Sequence, residues 1–476
     1  MSSVINTNVS SLIAQHSLAN ANNQLSTSLQ RLSTGLKINT GADDPAGLIA
    51  SQNLQAEQTG INQAIDNANR ANNVIGTAEG GLNEVSNLLN QVEGLVNQSA
   101  NTGGLSTAEI SANQLQVDSI LSTINRIAGS TSFDGTQLLN GNLAYTTSSV
   151  STSAFTTIQV NSATLPNNAT KSVVVQVTNS ATVGDLTYTA AAGTSAIGGS
   201  SVTLQIAGVN GTQQLTFAAS SSIAEIATAI NAITAQTGVI ASASGGQLDF
   251  KAQNYGSTQY VSVSSVTAPF AVTGGHSGKA YGTDASVKVN GAAAQVSGTN
   301  VSYRDGQLDI DFQLSAGLNA GQTKTFGITG GGATFSLGAK VNAAGLASIG
   351  IQDVSTGGLG DNNLGFLSSL ASGGINSLTS NNLATAQQIT DEAITQVSNL
   401  RGRLGAFQKY TLASTINNLG VASENAAAAE SAITDTDFAQ ETANLTRSQI
   451  LQQSATTVLS QANSQPQNAL TLLKNA

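Results

Sequence analysis

Apolar residues recur every three or four positions at both ends of the chain and every second position through its middle. At the N-terminal end the series is Ile5, Val9, Leu12, then Leu18, Leu25, Leu29, Leu32 and Leu36. Near the other end, Phe438, Leu445, Ile450, Leu451, Ala455, Val458, Leu459 and Ala462 repeat the same spacing. Such spacing puts one apolar stripe on each helix, the pattern that coiled coils bury. Neither stripe has a partner nearby in sequence, so each calls for the other terminus or for a second molecule. Uncovered stripes at both ends suit a protein that completes itself by assembling.

The first helix is predicted from about Asn6 to Leu36, with its stop near Gly35 or Gly41. Asp43-Asp44-Pro45 then marks a fresh start, an Asp cap with Pro in the first turn. Ile61, Ile65, Ala68, Ile75, Leu82, Val85, Leu89, Val92 and Val96 carry a second helix, which Gly80-Gly81 is expected to interrupt. After a loop at Asn101–Ser106, Ile110, Leu115, Ile120, Leu121, Ile124 and Ile127 mark a third, ending at Gly129. On the far side, Leu383, Ala386, Ala393, Val397, Leu400, Leu404 and Phe407 predict a helix reaching about Leu419, with Gly420 as its stop. A last helix is expected from Thr434 or Asp435 to about Ala462, limited by Pro466. Asn, Gln, Ser and Thr flank these stripes, where two-stranded coiled coils carry charges that select one partner. Neutral flanks permit packing on several sides.

Between about Asn142 and Leu378 the period is two. Ser201–Gly208 and Gln213–Phe217 alternate around Asn210-Gly211, a hairpin signal. A short helix at Ser222–Ala235 and strands near Val239–Ala243, Gln247–Lys251 and Tyr260–Ser264 follow. A second block runs from Ala285 to Leu337, with turns at Asn290-Gly291 and Asp305-Gly306. Gly246-Gln247-Leu248-Asp249 and Gly306-Gln307-Leu308-Asp309 are alike, too briefly to establish a repeat. The fold class is therefore α+β: a long antiparallel, coiled-coil-like bundle from both termini with an inserted β-rich outer region.

Composition narrows the function. Charged residues are 9% and aromatics 4% of 476 residues, with no Trp, and catalysis concentrates ionisable groups, so the chain reads as a non-enzyme without a cofactor. A net charge of −10 with no basic cluster disfavours nucleic acid. Zero Cys removes disulfides and thiolate metal sites, and His16 and His276 are far apart in sequence. No apolar run is long enough to span a bilayer, so no membrane insertion is expected, and residues 1–30 lack the basic-then-apolar form of a secretory leader. Four prolines, at Pro45, Pro166, Pro269 and Pro466, leave few slow isomerisation steps in repeated folding.

Several motifs invite chemistry and lack its full pattern. Asp43 and Asp44 are followed by no further oxygen ligands at calcium-loop spacing. Gly274-Gly275-His276-Ser277-Gly278-Lys279 has the look of a phosphate loop, but Ala280 replaces the needed Ser or Thr. Gly330-Gly331-Gly332 has no dinucleotide spacing and reads as a turn. Asp309 and Asp311 share one strand face, where solvated acids are commoner than carboxylate pairs. The sequons at Asn168, Asn210 and Asn300 carry little weight on their own.

The helical ends resemble bacterial flagellin. The resemblance rests on Val4-Ile5-Asn6-Thr7-Asn8, Gln30-Arg31-Leu32-Ser33-Thr34-Gly35, Asp43-Asp44-Pro45-Ala46-Gly47, Gln98-Ser99-Ala100-Asn101 and Phe133-Asp134-Gly135. At the other end it rests on Asp435-Thr436-Asp437-Phe438-Ala439, Glu441-Thr442-Ala443-Asn444-Leu445, Gln449-Ile450-Leu451-Gln452-Gln453 and the close through Pro466-Gln467 to Leu470–Leu473. Ile230-Asn231 and Thr237-Gly238-Val239 look like a small insertion motif of flagellins and hook-associated proteins.

The resemblance implies a subunit that leaves the cell unfolded through the flagellar type III route and polymerises into an extracellular filament for motility. Its implied partners are further copies of itself, an export chaperone, the filament cap and hook-associated proteins. Residues 1–43 and 436–476 would form the terminal core domain, 44–141 and 379–435 the outer-tube domain, and 142–378 an exposed β-rich insertion, divisible at about 142–282 and 283–350. The assembly core would be Ile5, Val9, Leu12, Leu25, Leu29, Leu32, Leu36, Phe438, Leu445, Ile450, Leu451, Val458 and Leu459. No acid precedes Asp43, while Arg31 and Lys37 do, which would keep negative charge out of that core. The resemblance also maps an animal immune-receptor contact onto Gln91, Leu95 and Gln116, where responsive flagellins carry Arg, Leu and Glu. A hook–filament junction protein has similar ends, and a secreted adhesin with a helical stalk is the rival of a different class.

Overall fold

The computed structural model describes residues 7–101, 103–165, 169–190, 196–267, 269–316, 318–362, 364–380 and 382–474. It has the expected α+β class and divides into two compact units. One comprises Met1–Asn69, Ser336–Gly345 and Leu412–Ala476, the other Arg70–Phe335 and Leu346–Thr411. Helices among the described residues are α1 (Val9–Thr34), α2 (Pro45–Ser99), α3 (Thr107–Ser130), α4 (Ile223–Ala232), α5 (Thr234–Thr237), α6 (Leu383–Ala406), α7 (Ala413–Thr434) and α8 (Phe438–Lys474). None is long and apolar enough to cross a membrane.

Helix ends follow local chemistry. The Asn8 side chain accepts from Ser11 N–H at 3.0 Å to start α1, and Gly35, at φ +74°, ends it. Asp43 accepts from the N–H groups of Asn39 and Thr40 at 3.1 and 2.7 Å, and Asp44 caps α2 through Gly47 N–H at 2.9 Å. Those carboxylates serve the chain's own backbone. Ser106 and Glu109 form a reciprocal capping box at the start of α3.

Glycine and proline disagree with the expected boundaries. α2 runs unbroken through Gly80-Gly81. A Cβ on Gly81 would lie 2.7 Å from Leu139 Cδ1 and 2.8 Å from Thr131 Oγ1, so close packing, and no break, explains that residue. α3 continues one residue beyond Gly129. α6 passes through a π-helical turn, Phe407–Leu412, into α7, which continues past Gly420 to Thr434. Gly420 keeps helical geometry beside open space, and its low propensity is offset by the Ala-rich turns after it. α8 starts at Phe438, behind an Asp437 cap that accepts from Ala439 and Gln440 N–H groups. It also continues through Pro466. A proline there lacks the N–H that would reach the Ala462 carbonyl, and the Asn8 side-chain amide donates to that carbonyl instead, at 2.7 Å.

The middle holds two nested β cores. The first joins a five-stranded antiparallel sheet (Ala292–Ala293, Ser286–Val289, Lys171–Asn179, Thr323–Gly330, Thr146–Ser148) to a four-stranded one (Gln295–Ser297, Asn300–Arg304, Leu308–Leu314, Phe155–Ala163). Phe155 meets Phe312 and Phe326 edge to face, with centroids 5.5 and 5.6 Å apart. Residues on both sides of position 282 thus share this core. The second core lies wholly within residues 186–280. Its sheets (Val272–Thr273, Asp185–Thr189, Gln247–Ala252, Val239–Ser244; and Lys279–Tyr281, Tyr260–Ser265, Val202–Gly208, Gly211–Phe217) close over Phe250, Leu204 and Ile206, with Ile226 and Ile230 of α4. The predicted hairpin is present, its turn at Val209-Asn210, since Gly208 and Gly211 already pair. Asn290-Gly291 makes the expected turn with φ of +51° and +87°.

Asp284 joins the nested module to the enclosing one. Its carboxylate accepts from Ser257 Oγ at 2.5 Å, and from the Gly298 and Ser257 N–H groups at 2.7 and 3.0 Å. These bonds, the Ser257 hydroxyl first, hold its pKa below the usual carboxylate range.

Residues 351–378 pack on helices despite their irregular backbone. Ile351, Val354, Leu359, Leu367, Leu370 and Leu378 are buried. Gln114 of α3 donates to the Leu370 carbonyl at 2.9 Å and accepts from Leu378 N–H at 2.6 Å. Asn125 accepts from the Thr356 N–H and hydroxyl at 2.9 and 3.0 Å.

Candidate assembly interface

α1 and α8 run antiparallel. Ser11 donates to the Asn463 side chain at 2.7 Å, Asn22 accepts from Gln452 at 2.8 Å, and Arg31 pairs with Glu441 at 3.8 Å. At the closed end, Lys37 N–H donates to the Thr434 carbonyl at 2.6 Å and Thr436 N–H to the Gly35 carbonyl at 2.9 Å.

The seam between these helices is built from small and polar residues. Ala14, Ala21 and Ser28 are buried a heptad apart on α1, and Glu441, Ser448 and Ala462 hold the matching face of α8. Leu25, Leu32, Leu445 and Leu459 flank it, half-buried. The other large apolar residues point away from it: Val9 is 56% exposed, Leu12 57%, Leu29 51%, Phe438 58%, Ile450 58% and Val458 56%. Leu36 and Leu451 are exposed too, as is Ile13, which sequence reading did not single out. Ile5 lies outside the described residues, as do the side chains of Leu470, Leu472 and Leu473.

The apolar stripe therefore has two fates. Its half-buried members line the intrachain seam, and its exposed members form a second face left uncovered by the described residues. The apolar series included Ala462 but missed Ala14, Ala21, Ser28 and Ser448, because hydropathy marks Leu and Ile rather than small or polar residues; the seven-residue recurrence of small residues is the signal that finds them.

The other candidates are placed individually. Gln91 and Gln116 are exposed and Leu95 is half-buried. Asp309 and Asp311 form a paired network: Asn161 donates to both, at 3.0 and 2.6 Å, and Arg304 lies 3.3 and 3.7 Å from them. Among the sequons Asn168 lies outside the described residues, Asn210 is in a hairpin turn and Asn300 opens a strand.

Known families match the same stretches. The bacterial flagellin N-terminal helical region matches residues 5–144, and the C-terminal helical region of the same proteins matches 387–473. A flagellin of Salmonella rubislaw is 32% identical over 513 aligned positions, covering 100% of both chains. The chain belongs to the flagellin family. It is a structural subunit of the flagellar filament. The B-type flagellin of Pseudomonas aeruginosa is also 32% identical, again over 100% of both chains, and flagellin D of Vibrio anguillarum is 30% identical over 98% of this chain and 99% of its own. The flagellin hook IN motif matches residues 203–254, within the nested core. Among solved structures, FliC from Burkholderia pseudomallei covers 71% of this chain and 98% of its own at 18% identity, with a TM-score of 0.25.

Proposed function

We propose that the exposed apolar faces of α1 and α8 are the contacts that bind one flagellin subunit to the next. The observation that carries this reading is the division of labour along the helix pair, with small residues inside and Val9, Leu12, Leu29, Phe438, Ile450, Leu451 and Val458 outside. Each such large side chain contributes about 1.5–3 kcal/mol when fully covered. Several per subunit, repeated along a helical array, are a sufficient driving force. The acid-free stretch before Asp43 limits like-charge repulsion where many copies converge. The terminal segments form the inner layer, and the β-rich middle points outward from an extracellular filament.

Export unfolded through the flagellar type III route, with a chaperone, and growth beneath a cap above hook-associated proteins, fit the scarcity of proline and the lack of cysteine. Leu12→Asp combined with Val458→Asp tests the interface. The double variant keeps the helicity and unfolding temperature of the wild-type monomer and fails to form sedimentable filaments. Normal polymerisation of that variant overturns the proposal.

Gln91 and Gln116, exposed and neutral, also support weak recognition by animal flagellin receptors, since a charge-assisted contact is lost at each position. In a cell reporter assay, Gln91→Arg with Gln116→Glu raises the response. Strong activation by the unmodified monomer contradicts this.

A further inference from the structure

Tyr and His are scarce in this chain, and three of them share one place. Of seven Tyr and two His in 476 residues, Tyr260, Tyr281 and His276 lie together at one end of the nested module. Tyr260 pairs directly with Tyr281 across neighbouring strands, and their rings lie 5.8 Å apart at 46°. Lys279 reaches over both, its Nζ 3.9 Å from one ring centroid and 4.7 Å from the other. Two aromatic faces hold that ammonium in position, which lowers the entropy lost when it binds something further.

The backbone below is equally fixed. His276 and Lys279 exchange backbone hydrogen bonds of 2.8 and 3.1 Å around Ser277-Gly278, whose φ angles are +53° and +72°. That is a tight two-residue hairpin turn leading into a strand, so the loop does not open a helix as a phosphate loop does. An open depression of about 640 Å³ lies against it, lined among others by Asp185, His276, Lys279 and Tyr281. Tyr281 is 58% exposed, and Asp185 is oriented by an ion pair with Lys251 at 3.6 Å.

We propose that this depression binds an acidic saccharide. The sugar ring lays its C–H face on Tyr281, and its carboxylate meets the Lys279 ammonium beside His276. Asp185 accepts hydrogen bonds from the ring hydroxyls. Each element is needed for that ligand class. An aromatic face attracts polarised C–H groups, an ammonium makes a charge-assisted bond to a carboxylate, and a neighbouring carboxylate favours hydroxyl donors while repelling a bare anion. A site this open is weak in one subunit. Repetition along a filament multiplies its effective affinity.

The test uses the full-length monomer, so it is independent of polymerisation. Binding of 3′-sialyllactose and lactose is followed by calorimetry and by saturation transfer from protein to ligand, and binding of inorganic phosphate, which carries no C–H protons, by calorimetry. Sialyllactose binds, lactose binds at least about tenfold more weakly, and phosphate gives no signal; one charge-assisted hydrogen bond supports a difference of that order. Tyr281→Ala and Lys279→Gln each weaken sialyllactose about tenfold with no change in unfolding temperature. Tyr281→Phe, which keeps the ring, retains binding and covers the case in which either other variant misfolds. No binding of sialyllactose, equal binding of lactose, binding of phosphate, or indifference to Tyr281→Ala overturns the proposal.

Discussion

The paired termini and the nested β cores treat large apolar residues in opposite ways. In the cores Phe250, Leu204 and Ile206 are fully buried within their own chain. Along α1 and α8 the inner seam is Ala14, Ala21, Ser28 and Ser448, and residues as large as Ile450 and Phe438 stand in the open. Both regions alternate apolar with polar positions, so the hydrophobic effect acts on both. The difference is in what covers the large side chains. The cores cover theirs within one chain, whereas the helix pair leaves many of its own exposed. A seam of small residues gives the pair little apolar burial of its own, and a helix pair depends on such burial for stability.

The harshest way to break the comparison is to remove the cores. Ile351 N–H donates to the Leu143 carbonyl at 3.0 Å, so the two ends of the insertion already touch. Deleting 145–349 with a short Gly/Ser bridge leaves filament formation intact by sedimentation and electron microscopy. Extending the cut to 375 strips Leu359, Leu367 and Leu370 from the helices they cover and abolishes a cooperative unfolding transition. Equal behaviour of the two deletions contradicts the packing of 351–378.

A matched pair of truncations sharpens it. Phe250→Ala costs the nested core about 3–5 kcal/mol in chemical denaturation. Phe438→Ala, more than half exposed, leaves monomer unfolding unchanged and raises the critical concentration for polymerisation. A smaller effect is expected at the seam. Ala21→Leu inserts bulk where the helices meet and destabilises their pairing by about 1–3 kcal/mol, read as faster proteolysis of both termini.

The mildest test is acid. Asp284 has a lowered folded-state pKa, so its contribution is present above the ordinary carboxylate value and is lost as pH falls through the lower folded value. Protection of the Ser257 and Gly298 amides, measured against the intrinsic exchange rate at each pH, therefore falls on acidification, and Asp284→Asn removes most of that pH dependence. Protection factors at both amides that ignore pH contradict the role of this junction.

Much of this was legible in the chain. Asp44-Pro45 started a helix where the cap rule puts it, and Asn290-Gly291 turned a hairpin. What misled was composition read without its surroundings. Pro466 does not end α8 because Asn8, far away in sequence, serves the carbonyl that proline leaves bare. Gly80 and Gly81 do not interrupt α2: Gly80 stays helical beside open space, and Gly81 stands where Leu139 and Thr131 pack against the space that a side chain would fill. The apolar periodicity located the terminal faces and could not divide them, because spacing alone does not separate a side chain covered by its own chain from one left exposed.

The seam has one further consequence. A heptad of Ala and Ser looks the same after a slip of seven residues, so by itself it cannot report whether the two ends are correctly aligned. Alignment has to be written in features that occur once. The chain has several: the Gly35–Thr436 and Lys37–Thr434 backbone bonds at the turn, the Arg31–Glu441 and Asn22–Gln452 pairs along the seam, and the Asn8 amide on the carbonyl exposed by Pro466 at the open end. A repeating track carrying such marks admits a single frame.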